Sequence, residues 1–522
     1  MITLPNQIAV RASSLDRLQR ETWDIAVIGG GATGLGAAVD AASRGLRTVL
    51  LEGNDFAKAT SSRSTKLIHG GVRYLKQGNL SLVRESLQER ELLLSNASGI
   101  VQPLEFVIPT SSWRERMFYG IGLKAYDFLA GRSRMPRSRM LSTQEVRARL
   151  PTIREDHLRG GVSYFDAQFD DSRLALALAA AIGQLGGIAL NYLSAVRLLK
   201  RGRQICGVVA EDQETHRQLE IQAKAVINAT GIFSDSLQQM DAPGTKPMLQ
   251  VSRGSHLVFD RSHLPGETAM IIPSTDDGRV VFVIPWHGAV VVGTTDMPAE
   301  KPILDPFPLE EEIDFLLDHA CQYLNRSLTR SDIRSMFCGL RPLVKANDQK
   351  STSQLSRDHV IRTSASGLVT IAGGKWTTYR KMGSDAVDAA IATAGLDCAA
   401  STTRTLVLEG KGLDLPGQRQ DAASVTDEFI THAVRHEQAR TVEDVLSRRC
   451  RLLFLDARAA IRVAPRVAEG ISREFGYDAA WQAAQVSAFQ AFAERHLGEP
   501  FRETSEPPAK NGRMAIPIHS PV

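Results

Sequence analysis

Residues 24–52 read DIAVIGGGATGLGAAVDAASRGLRTVLLE, and they contain the strongest fold signal in the chain. A short run of β-branched and apolar residues comes first. Glycines, a helical segment and a second apolar run that ends in an acid follow it. This order predicts a strand–helix–strand unit, which implies a parallel sheet. We therefore expect an α/β fold built around this unit.

Three glycines in the stretch follow the GxGxxG pattern of dinucleotide-binding folds. Gly29 permits a tight turn, Gly31 lets a pyrophosphate approach the backbone, and Gly34 lets helix and strand pack closely. The helix that follows offers unpaired N–H groups to the phosphates. Glu52 ends the second strand, where it can accept hydrogen bonds from a ribose. The residues expected to hold NAD or FAD here are Gly29, Gly31, Ala32, Thr33, Gly34 and Glu52.

Length, charge and cysteine content limit the class of protein. With 522 residues, the chain is expected to form two or three domains. A formal net charge of +4 gives no support to nucleic-acid binding, which usually needs a dense basic face. The five cysteines are scattered and never spaced as CxxC, so we expect neither a disulfide framework nor a structural metal site. No apolar run reaches membrane-spanning length.

Changes of pattern along the chain divide it into parts. Strand-like runs between residues 246 and 300 predict an antiparallel sheet that interrupts the nucleotide-binding domain. After about residue 405 the pattern is helical. The predicted parts are an N-terminal arm (1–21), a discontinuous nucleotide-binding domain (22–95, 150–245 and 340–398), a substrate-binding domain (96–149 and 246–339), a C-terminal helical domain (405–497) and a tail (498–522).

A second polar stretch, TSSRSTKLIHGGVRYL, occupies residues 60–75. NAD enzymes have no need for a polar, glycine-bearing segment at this place. Flavin enzymes must also hold a ribityl chain and a ring, and they need a wall facing the substrate. The stretch therefore favours FAD over NAD.

Several motifs together resemble one family. VIGGGATGLG, TSSRSTKLIHGGVRYL, VINATG, RGSHLVF, VFVIPW, VVGTTD, GLRPL and AGGKWTTYRK are similar to motifs of the FAD-dependent, quinone-linked glycerol-3-phosphate dehydrogenases. The resemblance implies a Rossmann-like FAD-binding domain with an inserted antiparallel substrate domain and a C-terminal helical cap. It also implies that sn-glycerol 3-phosphate is oxidised to dihydroxyacetone phosphate by hydride transfer to FAD, with a membrane quinone as the electron acceptor.

The resemblance assigns roles to four residues. Arg73 and Arg341 would bind the phosphate, because their guanidinium groups are planar and permanently charged. His256 is the leading candidate for the base, since imidazole titrates near neutral pH. Lys375 would stabilise negative charge on the reduced flavin. The alternatives are salt bridges for the arginines, a sheet hydrogen bond for the histidine and a solvated turn for the lysine.

Further residues are expected to contact the cofactor. They are Thr60, Ser61, Ser64, Lys66, Leu67, His69, Val196, Gly231, Gly374, Lys375 and Thr377. Trp376 stands where the family usually has an aliphatic residue, which leaves the preferred electron acceptor open.

Residues 113–139 combine seven Arg and Lys residues with aromatic and apolar neighbours. This composition is typical of a segment that lies on an anionic membrane surface. The alternative is an amphipathic segment packed on a neighbouring domain. The membrane interpretation predicts a cytoplasmic enzyme attached peripherally to the inner membrane, and the family is compatible with a homodimer.

Two other functions stay open at this point. An oxidase would pass its electrons to dioxygen and make hydrogen peroxide, but such relatives tend to carry an extra insertion that is not evident here. A flavin-bound regulatory protein would lack turnover. The presence of Arg73, His256, Arg341 and Lys375 argues against that second alternative.

Overall fold

The structure is a computed structural model. It describes residues 6–71, 79–131, 133–273, 275, 278–345, 358–408 and 421–498. Two sheets with flanking helices and a C-terminal helical unit make up this part of the chain. The predicted α/β class with an inserted, largely antiparallel sheet and a C-terminal helical domain is confirmed.

The predicted strand–helix–strand unit lies in the middle of the first sheet. Its strands are β1 (Thr22–Ile28), β2 (Thr48–Leu51), β7 (Ile188–Leu190), β8 (Leu193–Arg201), β9 (Gln204–Asp212), β10 (Gln218–Asn228), β17 (His359–Thr363) and β18 (Leu368–Gly373). The order is β17-β18-β10-β1-β2-β7, and the β8–β9 hairpin pairs with β10. Pairing is parallel from β18 to β7. Parallel strands are usually covered on both faces, which explains the continuous apolar runs.

The second sheet has ten strands within the described residues. They are β3 (Leu67–Ile68), β4 (Val101–Pro109), β5 (Arg139–Leu141), β6 (Gly161–Phe169), β11 (Leu249–Asp260), β12 (Ala269–Ile272), β13 (Val281–Trp286), β14 (Ala289–Gly293), β15 (Met297–Ala299) and β16 (Ser335–Val344). Only β4 and β12 pair in parallel among them.

Two strands, β3 and β6, fall inside ranges predicted for the nucleotide-binding domain but pair in the second sheet, and β16 crosses the predicted boundary at residue 340. The range 150–245 assigns β6 to the nucleotide-binding domain. In the structure β6 pairs along its whole length with β4, in the second sheet. The strand is buried along most of its length, and a strand pattern in the sequence does not identify the sheet in which the strand pairs.

Helices cover both sheets. Those before the C-terminal unit are α1 (Gln7–Arg20), α2 (Ala32–Ser43), α3 (Leu80–Asn96), α4 (Trp113–Ala130), α5 (Thr143–Arg149), α6 (Asp171–Gln184), α7 (Ser234–Asp241), α8 (Glu310–Tyr323) and α9 (Tyr379–Ala394). Most of the predicted N-terminal arm forms α1. Leu18 of α1 is fully buried, and Arg11 pairs with Asp212 at 2.6 Å. These contacts attach the arm to the first sheet.

The C-terminal unit has a hydrophobic core of its own. Its helices are α10 (Asp427–Glu437), α11 (Leu452–Leu455), α12 (Ala457–Phe475) and α13 (Ala479–Glu494), with a π-helical turn at Asp444–Arg449. Residues 499–522 of the predicted tail lie outside the described residues. Across the described ranges, no helix is both long enough and apolar enough to pass through a membrane.

Candidate active site

A cavity of about 1470 Å³ is lined by residues of both sheets. The glycine fingerprint after β1 forms one part of its wall, and Phe118 and Ile121 of α4 form another. His256, Arg341 and Lys375 also line it. The cavity therefore brings together residues that are more than 300 positions apart in the chain.

The glycines of the fingerprint sit where a side chain would clash. Gly29 has φ +110°, and a Cβ there would lie 2.5 Å from the carbonyl oxygen of Ala229. A Cβ on Gly34 would lie 1.8 Å from the carbonyl oxygen of Gly29. These contacts match the predicted roles of a tight turn and close helix packing. Gly31 precedes α2, and Gly31, Ala32 and Thr33 at the start of this helix line the cavity.

Glu52 is fixed at the end of β2. Its carboxylate accepts hydrogen bonds from the backbone N–H of Gly30 at 2.6 Å and of Asn54 at 2.7 Å. Burial raises the pKa of the Glu52 carboxyl above its ordinary value. Glu52 lines the cavity where the predicted ribose contact would be made.

The polar segment at residues 60–69 connects the fingerprint to the second sheet. Ser61 Oγ accepts from the backbone N–H of Ala32 at 2.9 Å. The Thr60 hydroxyl donates to the carbonyl of Leu340 at 2.6 Å. The indole N–H of Trp376 donates to the Ser61 carbonyl at 2.8 Å. Ser64, Leu67 and His69 line the same cavity.

A second glycine turn faces this segment. Gly373 and Gly374 both have positive φ, and they bring Lys375 to the cavity wall. The hydroxyl of Thr377 lies 3.3 Å from both the backbone N–H and the carbonyl oxygen of His69. Gly231 lines the wall from the turn after β10.

Two predicted cofactor contacts differ in the structure, and one predicted residue is not described. Lys66 points away from the cavity, and its ammonium donates to Asp171 and to the Ser62 carbonyl, both at 2.7 Å. Its backbone has φ +64°, in the left-handed region that non-glycine residues rarely adopt. Val196 lies one residue beyond the wall formed by Ser194 and Ala195, at a β-bulge. Arg73 lies outside the described residues.

His256 is buried on β11 and lines the cavity. Its Nε2 lies 3.0 Å from the hydroxyl of Thr65, and its ring stacks on Phe337 with centroids 4.6 Å apart. Burial, followed by the positive charges of Lys66 and Arg341, holds the pKa of the imidazole well below its ordinary value. The ring is therefore neutral at physiological pH and able to accept a proton.

Arg341 lies on β16, on the same face of the sheet as His256. Register places Arg341 opposite Ser252 and His256 opposite Phe337, an even number of residues apart. The guanidinium donates to the Thr294 hydroxyl at 2.9 Å and to the carbonyls of Arg253 and Thr295 at 2.9 and 3.0 Å. Asp296 lies 3.5 Å away. These contacts hold the planar group at the cavity wall.

Glycines leave space on the sheet face around the side chains of His256 and Arg341. A Cβ on Gly254 would lie 2.3 Å from Arg341 Nη2, and one on Gly293 would lie 2.3 Å from His256 Cδ2. Gly339 is paired with Gly254 across the two strands. Sequence reasoning named Arg341 and His256 but missed this pattern. Glycine inside a strand, as in RGSH and VVGT, often marks a close approach by another group and is the signal that could have found Gly254 and Gly293.

The residues present fit FAD. The helix N-terminus and its glycines suit a pyrophosphate, Glu52 suits a ribose, and the cavity continues past Ser61 and Thr377 to Lys375. The cavity wall formed by the second sheet carries His256 and Arg341.

Comparisons with known proteins agree with this geometry. Residues 24–380 match the family described as "FAD dependent oxidoreductase", and residues 399–482 match "C-terminal domain of alpha-glycerophosphate oxidase". The mitochondrial glycerol-3-phosphate dehydrogenase of Arabidopsis thaliana is 37% identical over 94% of this chain and 89% of its own length. The human mitochondrial enzyme of that name is 36% identical over 94% of this chain and 75% of its own.

The chain belongs to the FAD-dependent glycerol-3-phosphate dehydrogenase family. A glycerol-3-phosphate dehydrogenase from Bacillus halodurans, solved with FAD, shares 28% identity and superposes with a TM-score of 0.76 over 93% of this chain and 97% of that one. The L-α-glycerophosphate oxidase of Mycoplasma pneumoniae shares 18% identity, with a TM-score of 0.57 over 75% of this chain and 98% of that one, which shows a common fold alone. FAD is the cofactor that this membership implies.

Replacing Gly34 with alanine is expected to weaken FAD binding by about tenfold or more, because the new Cβ overlaps the Gly29 carbonyl and must push the phosphate-binding turn apart. The measurement is the FAD dissociation constant from fluorescence titration of the deflavinated protein. Gly183→Ala is the matched control, since that helical glycine has open space around it. Equal FAD affinity in Gly34→Ala and wild type would contradict the assignment.

Proposed function

We propose that this enzyme oxidises sn-glycerol 3-phosphate to dihydroxyacetone phosphate in the cavity and passes the electrons to a membrane quinone. The observation that carries the proposal is that His256 and Arg341 lie on one face of the second sheet, where neighbouring glycines leave space for their side chains. Both line the same cavity as the nucleotide fingerprint. A base and a phosphate-binding cation at one wall suit a phosphorylated secondary alcohol.

Arg341 binds the substrate phosphate in this proposal. Its contacts to three oxygen atoms of β11 and the 294–295 turn fix the guanidinium plane before the substrate arrives. A guanidinium group that is already oriented loses less conformational entropy for each hydrogen bond that it forms with phosphate. Arg73 is proposed as a second phosphate ligand on the resemblance alone.

His256 accepts the proton of the substrate hydroxyl. Its low pKa keeps the imidazole unprotonated, and the contact of Nε2 with Thr65 fixes the ring plane. Bound FAD supplies the group that accepts the hydride of the secondary carbon. Lys375 brings a positive charge to the cavity wall and favours negative charge that develops there.

The electron acceptor separates the proposal from the oxidase alternative. After anaerobic reduction by sn-glycerol 3-phosphate, the enzyme is mixed with a soluble quinone analogue or with dioxygen, and the return of flavin absorbance is followed. Quinone reoxidation at a rate that matches turnover is expected. Turnover-matched reoxidation by dioxygen, with hydrogen peroxide formed, would establish the oxidase instead.

Helix α4 supports attachment to a membrane. It exposes large apolar side chains, including Ile121 (64% exposed) and Phe128 (85% exposed). Exposed basic residues, among them Arg114 and Lys124, share the helix. Apolar groups beside cations suit a surface of anionic lipid. Because Ile121 also lines the cavity, a quinone in the bilayer would lie near the opening of the site.

The double variant Ile121→Glu/Phe128→Glu is expected to reduce binding to anionic vesicles by about tenfold or more, because two apolar side chains can no longer enter the lipid. Co-sedimentation with vesicles of phosphatidylcholine and phosphatidylglycerol measures the loss. Val407→Glu serves as the control, since Val407 is equally exposed and lies after the FAD-binding domain. Unchanged sedimentation of the double variant would contradict the membrane contact.

The proposed location follows from this contact. We place the enzyme on the cytoplasmic side of the inner membrane, held peripherally through residues 113–139. The homodimer stays a prediction of the resemblance.

A further inference from the structure

Within the polar segment, residues 61–66 are held in place by contacts that involve Asp171, the first residue of α6. Asp171 Oδ2 accepts from Lys66 Nζ and from Ser64 Oγ, each at 2.7 Å. Its other oxygen, Oδ1, accepts from Arg451 Nη2 at 2.9 Å. Asp171, Lys66 and Arg451 are all fully buried. One carboxylate therefore joins the segment to an arginine of the C-terminal unit.

Arg451 makes further contacts to the same place. Its guanidinium donates to the Ser62 carbonyl at 2.9 Å and to the Ser172 hydroxyl at 2.6 Å. Lys66 donates to the same Ser62 carbonyl at 2.7 Å. Both cations have backbone φ near +63°, a region that non-glycine residues rarely adopt. Two such residues meeting at one carboxylate indicate a junction that tertiary contacts maintain.

The segment held in this way contacts both halves of the active site. At its start, Ser61 Oγ accepts from the Ala32 N–H, at the phosphate-binding turn. At its end, Thr65 contacts His256 Nε2. Behind Thr65, the Lys66 ammonium lies 5.1 Å from the ring centroid of Phe337, on which His256 stacks.

We propose that Arg451 is a positioning residue of the active site: it acts through Asp171 and Lys66 to fix the segment that sets both the FAD turn and the His256 ring. The C-terminal unit then completes the active site, although Arg451 itself lies behind the cavity wall. The predicted effect on the reduction rate rests on the proposed function. The predicted effect on FAD affinity does not depend on it.

Breaking a buried ion pair also destabilises a protein in general, so the test needs a matched variant. Arg440 provides it. Arg440 belongs to the same C-terminal unit, is equally buried and pairs with Glu214 at 2.8 Å. Glu214 lies in the turn between β9 and β10, away from the 61–66 segment.

The experiment compares wild type, Arg451→Met, Arg451→Lys and Arg440→Met as FAD-loaded proteins. It measures the FAD dissociation constant, the anaerobic rate of flavin reduction by sn-glycerol 3-phosphate and the melting temperature. Arg451→Met is expected to slow reduction and weaken FAD binding by about tenfold or more each, since small displacements at a reacting site have large kinetic effects. Arg451→Lys should recover part of both losses. Arg440→Met should lower the melting temperature but change both readouts by less than about twofold.

Arg451→Met with wild-type FAD affinity and reduction rate would overturn the inference, as would equal losses in Arg440→Met. If Arg451→Met does not fold, Arg451→Lys and Thr65→Val are combined. If the two substitutions lower the reduction rate additively, Arg451 does not act through the segment that contains Thr65. A non-additive effect would support the positioning role of Arg451. If wild type itself is not reduced by the substrate, the proposed function fails, while the FAD dissociation constants still decide the inference.

Discussion

Replacing Arg341 with alanine is expected to raise the KM for sn-glycerol 3-phosphate by about 100-fold or more, because a desolvated phosphate loses its charged, hydrogen-bonding partner. FAD should stay bound, since the phosphate-binding turn of the cofactor lies in the other sheet. Steady-state kinetics with a soluble dye acceptor measure the KM, and flavin absorbance per protein checks loading.

Arg341→Lys is the informative companion to that variant. Lysine keeps the positive charge but loses the planar fork, so a KM between those of wild type and alanine is expected. The geometry supports this ranking of KM values, because the Thr294 hydroxyl and the two backbone carbonyls accept from separate N–H groups of a guanidinium, which an ammonium group does not reproduce. An alanine variant that keeps the wild-type KM would exclude Arg341 from phosphate binding.

The second large effect is expected for His256→Asn. Loss of a general base commonly costs about 100-fold to 10,000-fold in rate, so kcat should fall in that range while KM changes little. Asparagine retains a polar contact for Thr65, which keeps the segment near its native position. Stopped-flow reduction of the flavin isolates this step from later electron transfer. A reduction rate within twofold of wild type would assign the base elsewhere.

The pH dependence gives an independent check on His256. A histidine whose pKa is lowered stays unprotonated, and so active as a base, at every pH above that lowered value. The reduction rate should therefore stay constant as pH falls through the ordinary histidine range near 6.5, and decline only below it. An acid limb centred at the ordinary value would contradict the buried, cation-flanked environment.

Local patterns in the sequence predicted the parts of the structure that depend on neighbouring residues. The strand–glycine–helix order around Gly29 and Gly34 requires a particular turn, and that turn is present. The motifs around His256, Arg341 and Lys375 placed all three at one cavity. These three residues came from the family resemblance, and the glycine that leaves space around His256, Gly293, lies on a different strand.

Long-range pairing explains what the sequence did not reveal. Lys66 donates to Asp171, which also accepts from Arg451, because three distant segments of the chain meet there. The sheet to which β6 belongs depends on pairing with β4. The residue pattern of a buried strand does not distinguish one sheet partner from another.

The decisive measurement is an anaerobic titration of the purified, FAD-loaded protein with sn-glycerol 3-phosphate, followed by flavin absorbance and by product analysis. We predict that the oxidised flavin bleaches and that one dihydroxyacetone phosphate forms for each flavin reduced, while glycerol without phosphate leaves the spectrum unchanged. A flavin that stays oxidised at saturating substrate would contradict the proposed reaction.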